Sequence, residues 1–129
     1  MTKIMIVDDS GDIRESLKAL MEKEGYETHL AFNGEEFVGK VEEVQPDLVL
    51  LDVMMPGLST SEILDRLKER KMDSLKIVLI TVVRFSEEEI QQLMSESSIV
   101  DYIIKPFDVV DVSKRVSKTL SSEVENERN

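Results

Sequence analysis

The amino-acid sequence predicts an α/β domain in which a five-stranded parallel sheet carries helices on both faces, giving three layers. Three observations support this prediction. Five short apolar runs alternate with segments whose apolar residues recur at helical spacing. Most of the runs, including residues 4–7, 48–51 and 77–80, are apolar throughout, as expected for strands that are buried on both faces. The connections are short, and 129 residues suffice for one domain with a core of its own.

Most of the predicted strands end where an apolar run meets a polar residue. They are residues 4–7 before Asp8 and Asp9, residues 48–52 ending in Asp52, residues 77–80 before Thr81, and residues 100–104 before Lys105 and Pro106. The remaining strand, residues 27–31, alternates polar and apolar residues and is expected at an edge of the sheet.

Cap residues indicate where the helices begin and end. Three starts combine an N-cap residue with an acid three positions later: Asn33 with Glu36, Ser59 with Glu62, and Ser86 with Glu89. Gly25 and Pro46 indicate helix ends. The apolar stripes expected to face the sheet are, in chain order, Ile13, Leu17, Leu20 and Met21; Phe37, Val38, Val41 and Val44; Ile63, Leu64 and Leu67; Ile90, Leu93 and Met94; and Val109, Val112, Val116 and Leu120. A polar stretch follows, so we predict one domain over residues 1–122 and a polar, frayed tail over residues 123–129.

The composition limits the classes of function. With 16 basic and 27 acidic residues the net charge is −11, which disfavours direct binding to nucleic acid. The absence of cysteine excludes disulfides, thiolate zinc sites and cysteine nucleophiles. The sequence has neither a signal-peptide pattern nor an apolar run of about 20 residues that could span a membrane. We therefore expect a cytoplasmic protein with no membrane insertion.

The polar residues that end the strands are the candidates for chemistry. The carboxyl ends of parallel strands lie at one edge of a sheet, and α/β proteins bind ligands there. We expect five residues to meet at this edge: Asp8, Asp9, Asp52, Thr81 and Lys105. Two carboxylates about 4 Å apart repel each other by roughly 4 kcal/mol at an effective dielectric constant near 20. Such a site needs a proton or a cation, and a hard divalent ion such as Mg²⁺ suits oxygen ligands.

Thr81 and Lys105 add two hydrogen-bond donors that suit phosphoryl transfer. A hydroxyl and an ammonium group both donate well to phosphoryl oxygens. With Asp52 as a nucleophilic carboxylate, the set matches the needs of phosphoryl transfer to an aspartate. Taken singly, each residue also has an ordinary interpretation as a helix N-terminal charge, a turn residue, a strand residue or a surface lysine. Their coincidence at one sheet edge favours the functional interpretation.

The motifs around these residues resemble the receiver domain of two-component response regulators, of the single-domain, chemotaxis-regulator type. The resemblance runs from Lys3 to about Leu120 and rests on four motifs: Ile-Val-Asp8-Asp9, Leu-Leu-Asp52-Val-Met-Met-Pro56-Gly57, Thr81 at the end of the fourth strand, and Tyr102-Ile-Ile-Lys105-Pro106-Phe107. It implies a flavodoxin-like sheet with strand order 2-1-3-4-5. In that order the reversal lies between the first and third strands, which carry the aspartates.

The resemblance implies a phosphoacceptor with a metal site. Asp52 would accept a phosphoryl group from the phosphohistidine of a sensor histidine kinase or phosphotransfer protein, or from a small phosphodonor. Asp9, Asp52 and the backbone carbonyl of Met54 would hold Mg²⁺ or Mn²⁺, and Asp8 would act through water. The protein would catalyse only its own phosphorylation and dephosphorylation, so it would not be an enzyme in the usual sense.

The resemblance also implies a switch. Lys105 would contact the phosphoryl group, Thr81 would turn inward to bond it, and Tyr102 would follow by changing rotamer. In this family the Lys105–Pro106 peptide bond is usually cis. The output surface would be formed by the fourth helix, the fifth strand and the fifth helix, and it would meet a downstream target protein or an output domain. A phosphorylation-dependent homodimer is compatible with this arrangement.

The sequence departs from the family pattern near the expected site. Val82 stands where a small residue is usual, and Met54 and Val83 stand where polar groups often orient an attacking water. We therefore predict slow hydrolysis of the aspartyl phosphate. Ser59 and Thr60 replace the usual acid and glycine after the Asp52 loop, which leaves the geometry of that loop open.

Three alternatives remain at this point. The chain could be a receiver-like adaptor that works without phosphorylation. It could be a Mg²⁺ phosphohydrolase with an aspartyl nucleophile, although Met54 occupies the position of the acid that such enzymes place two residues after the nucleophile. It could also be a flavodoxin-like cofactor binder, although the acidic segment 8–12 would repel a phosphate in the absence of a metal.

Overall fold

The structure, a computed structural model, describes the backbone of residues 1–72, 75–96 and 98–128, and side chains within these ranges as far as residue 121. Within them five strands alternate with five helices. The strands are β1 (Lys3–Val7), β2 (Glu27–Ala31), β3 (Leu48–Asp52), β4 (Lys76–Thr81) and β5 (Ile99–Ile104). The helices are α1 (Gly11–Lys23), α2 (Gly34–Val44), α3 (Thr60–Glu69), α4 (Glu87–Met94) and α5 (Val109–Arg128).

The strands form one parallel sheet in the order β2-β1-β3-β4-β5, which confirms the predicted fold. The two central strands β1 and β3 are direct neighbours, and Val7 at the end of β1 pairs with Leu51 in β3. Asp8 and Asp52, which follow these paired residues, therefore leave the sheet side by side. The register of two buried strands thus brings the first two candidate carboxylates together.

Two hydrophobic clusters, one on each face, hold the helices against the sheet. One contains Ile4, Ile6, Leu48 and Leu50 of the strands with buried residues of α1 and α5. The other contains Met5, Val7, Val49 and Leu51 with buried residues of α2 and α3. Alternate residues of the same strands thus enter opposite clusters, which is why the central strands are apolar throughout. Strand β2 lies at the sheet edge and is mostly half-buried, as its alternating pattern predicts.

The predicted helix caps are present. Ser59 with Glu62 and Ser86 with Glu89 form reciprocal capping boxes at the starts of α3 and α4. Asn33 caps α2 by accepting the Glu36 backbone N–H at 2.7 Å. Glu36 does not complete a capping box, because its carboxylate instead accepts the backbone N–H of Phe32.

Two expectations about the helices are wrong. Met94 was expected inside, but it is 40% exposed, and α4 contains no buried residue, because this short helix lies near the β5 edge of the sheet with few sheet residues beneath it. Val109 was expected to face the sheet with the rest of the α5 stripe, but it is 49% exposed. Helix α5 continues to Arg128 and includes residues predicted as a polar tail from residue 123, and the fraying of that tail stays a prediction. The segment after Leu120 contains neither proline nor glycine and is rich in glutamate, so nothing in it stops a helix. The domain boundary at residue 122 stays a prediction.

None of the helices in the described part of the chain is both long and apolar enough to cross a membrane.

Candidate functional site

Three carboxylates meet at the carboxyl-end edge of the sheet. Asp8 and Asp9 follow β1, Asp52 ends β3, and each offers an oxygen within 4.8 Å of the others. Asp8 and Asp52 are 1% and 4% exposed, whereas Asp9 is exposed to solvent. The pocket thus combines two buried acids with one at its mouth.

Contacts within the β1–α1 loop orient Asp8. The backbone N–H of Ser10 donates to Asp8 Oδ1 at 2.9 Å, and Ser10 in turn caps α1 by accepting the N–H of Ile13. The guanidinium of Arg14 donates to the Asp8 backbone carbonyl at 2.7 Å. Hydrogen bonds to its side chain and to its backbone carbonyl therefore both hold Asp8 in position. Arg14 is not among the residues predicted from the sequence, since one arginine on a helix carries no distinctive pattern.

Asp52 is oriented by the chain that follows it. The backbone N–H of Met54 donates to Asp52 Oδ1 at 3.1 Å. The N–H of Val53 donates to the carbonyl of Ile80 in β4, also at 3.1 Å, so the first residue of the loop still follows the sheet. The Met54 side chain is exposed, and only its backbone contacts the acid in this way.

Lys105 places an ammonium group among the acids. Its Nζ donates to Asp8 Oδ2 at 2.9 Å and lies 3.6 Å from Asp52 Oδ2, with the lysine side chain 16% exposed. Its backbone N–H donates to the carbonyl of Thr81 at 2.7 Å, which fixes the end of β5 to the end of β4. The Lys105–Pro106 peptide bond is cis, as the family resemblance implies.

Burial raises the pKa of Asp52 above its ordinary value of 3.8. The Met54 N–H opposes the rise, the neighbouring Asp8 and Asp9 carboxylates add to it, and the Lys105 ammonium also opposes it. The increase is the expected response of a carboxyl group that is desolvated beside like charges. The ammonium therefore compensates the acidic pocket only in part.

The pocket fits a hard divalent cation. Its described ionic groups are three carboxylates and one ammonium, which leaves a net negative charge. The available ligands are oxygens, the type that Mg²⁺ prefers, and one side of the pocket is open at the exposed Asp9. The donor set thus agrees with the predicted metal residues Asp8, Asp9 and Asp52.

The other two expected switch residues, besides Lys105, lie on the last two strands of the sheet, β4 and β5. Thr81 is fully buried at the end of β4, and its Oγ1 accepts the backbone N–H of Val83 at 3.0 Å. Tyr102 is half-buried in β5, and its ring contacts Phe85 edge-to-face with the centroids 6.4 Å apart. Tyr102 packs against the hydrophobic cluster on the α2–α3 face of the sheet. Val82, between Thr81 and Val83, is exposed.

Comparison with known proteins agrees with this geometry. The family model of the response regulator receiver domain matches residues 4–117. The chain is 36% identical over 118 residues to sporulation initiation phosphotransferase F of Bacillus subtilis (strain 168), covering 92% of this chain and 93% of that protein. It is 37% identical over 119 residues to the transcriptional regulatory protein ResD of the same organism, covering 92% of this chain. The match spans about half of ResD, 48% of its length.

Solved structures show the same fold. A receiver domain protein from Methanospirillum hungatei JF-1 superimposes with a TM-score of 0.83 at 28% identity, covering 98% of both chains. The response regulator TrrA from Thermotoga maritima superimposes with a TM-score of 0.74 at 36% identity, covering 92% of this chain and 98% of that one. The TrrA structure is a complex with Mg²⁺ and BeF.

Proposed function

The chain belongs to the response regulator receiver domain family of two-component signalling, and from this premise we propose that it is a phosphoacceptor switch whose acceptor is Asp52. The observation that carries the proposal is the meeting of three carboxylates with the Lys105 ammonium at one sheet edge. Both carboxylate oxygens of Asp8 accept hydrogen bonds, from the Ser10 N–H and the Lys105 ammonium, whereas Asp52 Oδ2 lies 3.6 Å from this ammonium, which favours Asp52 as the acceptor.

The proposed reaction is transfer of a phosphoryl group to the Asp52 carboxylate. A bond forms between a carboxylate oxygen and phosphorus while the bond between phosphorus and the donor breaks, and the donor keeps the electron pair. With a phosphohistidine the leaving group is the imidazole nitrogen, and with acetyl phosphate it is the acetate oxygen. Asp52 must be ionised to attack, and at neutral pH the neighbouring Lys105 favours that form.

Asp9, Asp52 and the backbone carbonyl of Met54 would hold Mg²⁺ or Mn²⁺, with Asp8 acting through water. When bound, the ion would neutralise the acids and the charge of the incoming phosphoryl group. The chain's own contribution is to fix the acids before the ion arrives, through the bonds from Ser10 to Asp8 and from Met54 to Asp52. That TrrA was solved with Mg²⁺ and BeF supports the same chemistry here.

Lys105 and Thr81 would couple the binding of the phosphoryl group to a change of conformation in the rest of the domain. A phosphoryl group adds a charge of about −1.5 to −2 and three acceptor oxygens. Lys105 would transfer its contact from Asp8 to these oxygens, and the Thr81 hydroxyl would leave the Val83 N–H to donate to them. To act as a complete switch, this exchange must bias two conformations by roughly 5 kcal/mol. Tyr102 would follow by changing rotamer.

The proposed partners follow from this mechanism. The donor would be a sensor histidine kinase or a phosphotransfer protein. The output surface would comprise α4, β5 and α5, and would bind a downstream target protein or an output domain, or form a phosphorylation-dependent homodimer. The protein would act in the cytoplasm, without direct contact to nucleic acid, and would catalyse only its own phosphorylation and dephosphorylation.

Acetyl phosphate tests the proposal directly. Incubation of the protein with acetyl phosphate and Mg²⁺ is expected to add one phosphoryl group to its intact mass, and addition of EDTA should prevent the gain. Borohydride reduction followed by peptide mapping should locate the modification at Asp52. A mass gain elsewhere, or none at all, would contradict the proposal; unchanged mass would favour an adaptor, and turnover of p-nitrophenyl phosphate would favour a phosphohydrolase.

The phosphorylated protein is expected to lose its phosphoryl group slowly. The apolar Val82 is exposed next to the switch threonine, and neither Met54 nor Val83 offers a polar side chain to orient an attacking water. The half-life in Mg²⁺, followed by intact mass after removal of acetyl phosphate, should therefore be minutes or longer. Met54→Asn introduces an amide that can position water and should shorten the half-life. Loss from the wild type within seconds, or no acceleration in Met54→Asn, would contradict this explanation.

A further inference from the structure

The β3–α3 loop (residues 53–59) joins the proposed acceptor and metal-ligand positions to α3. Its first part is fixed by the Met54 N–H, which donates to Asp52, and its last residue is fixed by the Ser59 capping box. Between these anchors the chain passes through Pro56, which has no N–H to donate. The loop therefore needs another contact if its middle is to hold one conformation.

Glu35, in the first turn of α2, supplies that contact. Its carboxylate accepts the backbone N–H of Leu58 at 3.1 Å, a bond that joins residues 23 positions apart. Hydrogen bonds to an ionised acceptor are stronger than those between neutral groups. The neighbouring N–H of Ser59 donates to Glu62, so two successive amides of the loop are held by acids from two different helices.

Gly57 fits against the same carboxylate. A Cβ placed on this residue would lie 2.6 Å from Glu35 Oε1 and 2.9 Å from Oε2, which is closer than real Cβ atoms approach. Gly57 also has φ = +93°, a conformation that glycine adopts without strain. The loop backbone thus passes directly over the Glu35 carboxylate, in the segment where Ser59 and Thr60 depart from the family pattern.

We propose that Glu35 is a positioning residue for the metal site: by holding the loop at Leu58, it fixes the direction of the Met54 carbonyl. This inference rests on the proposed function, because the Met54 carbonyl is a ligand only if Asp52 works with a divalent cation. Only three residues separate Met54 from Leu58, so a change of backbone conformation at Leu58 is transmitted to Met54 over a short distance. Glu35 itself would not touch the ion, since its carboxylate is occupied by the loop.

Titration with MgCl₂ in the absence of any phosphodonor tests this role. Glu35→Ala is expected to weaken Mg²⁺ binding about tenfold, the low end for residues that support metal ligands. Glu35→Gln keeps an oxygen that can accept the Leu58 N–H and should bind Mg²⁺ within about twofold of the wild type, an energy difference below about 0.5 kcal/mol. Glu43→Ala removes an exposed acid from the same helix and serves as the matched control, with no expected change.

Amide hydrogen exchange in EDTA gives an independent readout that needs no metal. The Leu58 amide should exchange faster in Glu35→Ala than in the wild type and in Glu43→Ala. If Glu35→Ala binds Mg²⁺ as the wild type does, or if Glu35→Gln is as weak as Glu35→Ala, the positioning role is wrong while the proposed function stands. If the wild type itself binds no Mg²⁺ and takes up no phosphoryl group, the proposed function fails and this inference fails with it.

Discussion

Asp52→Asn is expected to abolish phosphoryl uptake and, in the metal-free protein at neutral pH, to stabilise the fold. Uptake is lost because the neutral amide is no nucleophile towards phosphorus. The unfolding free energy rises because an ionised carboxylate, 4% exposed and close to Asp8 and Asp9, is replaced by a neutral group of the same shape. The amide oxygen can still accept the Met54 N–H. We expect a gain in unfolding free energy on the order of 1 kcal/mol, since a neutral amide costs less to bury than a charge.

The pH dependence of this gain follows from the raised pKa of Asp52. Below the ordinary value of 3.8, the acid is protonated in both the folded and the unfolded chain and imposes no penalty. As the pH rises from 3.8 through the raised pKa, the unfolded chain releases its proton first, so the folded wild type loses stability relative to Asp52→Asn. The advantage of the variant should therefore be absent in acid and should grow as the pH rises from 3.8 through the raised pKa of Asp52.

Urea unfolding in EDTA, at a series of pH values, measures this difference. Asp65→Asn removes an exposed acid of α3 and is the control, with little expected change in stability. Mg²⁺ should stabilise the wild type more than Asp52→Asn, because the variant lacks one ligand carboxylate. A variant that is less stable than the wild type in EDTA at neutral pH, or that still gains a phosphoryl group at the same peptide, would contradict the assignment of Asp52.

The residues that meet at the carboxyl-end edge of the sheet were predictable from the sequence, because short-range patterns identify each strand and its end. Runs such as residues 48–52 identify their own strand, and parallel strands place their carboxyl ends together whatever their order. The strand order itself came from the family resemblance, and with it the pairing of β1 with β3 that brings Asp8 beside Asp52. Caps such as Ser59 with Glu62 were predictable for the same reason, since both partners lie within one helical turn.

The contacts that orient the site were not predictable from local pattern. Glu35 lies in the first turn of a helix, where an acid is common simply because it complements the helix dipole. Its contact with Leu58 depends on how α2 and the β3–α3 loop pack in three dimensions. Likewise Met94 follows the apolar spacing of a buried stripe, yet it is exposed because α4 lies near the sheet edge. Spacing identifies an apolar face but not whether anything covers it.

Lys105→Met is expected to give the largest loss of stability among the single substitutions at this site. The variant leaves Asp8 and Asp52, both buried, without the ammonium that lies 2.9 Å and 3.6 Å from their oxygens. Breaking a buried ion pair by removing one partner costs about 3–5 kcal/mol. We expect a loss of this size in unfolding free energy at neutral pH in EDTA, measured by urea unfolding. Lys114→Met, an exposed lysine of α5, is the matched control.

A double-mutant cycle separates the ion pair from other effects of Lys105. In the Asp8→Asn background there is one buried charge fewer for the lysine to neutralise, so Lys105→Met should lower the unfolding free energy clearly less than in the wild type.

Mg²⁺ binding provides a second check, because the ammonium and the divalent cation compete for the same acids. Lys105→Met should therefore bind Mg²⁺ more tightly than the wild type, by about tenfold or about 1.4 kcal/mol, and recover part of its lost stability. Equal costs in both backgrounds together with unchanged Mg²⁺ affinity would mean that Lys105 stabilises the protein by packing alone, and its proposed role at the phosphoryl group would then lose its electrostatic basis.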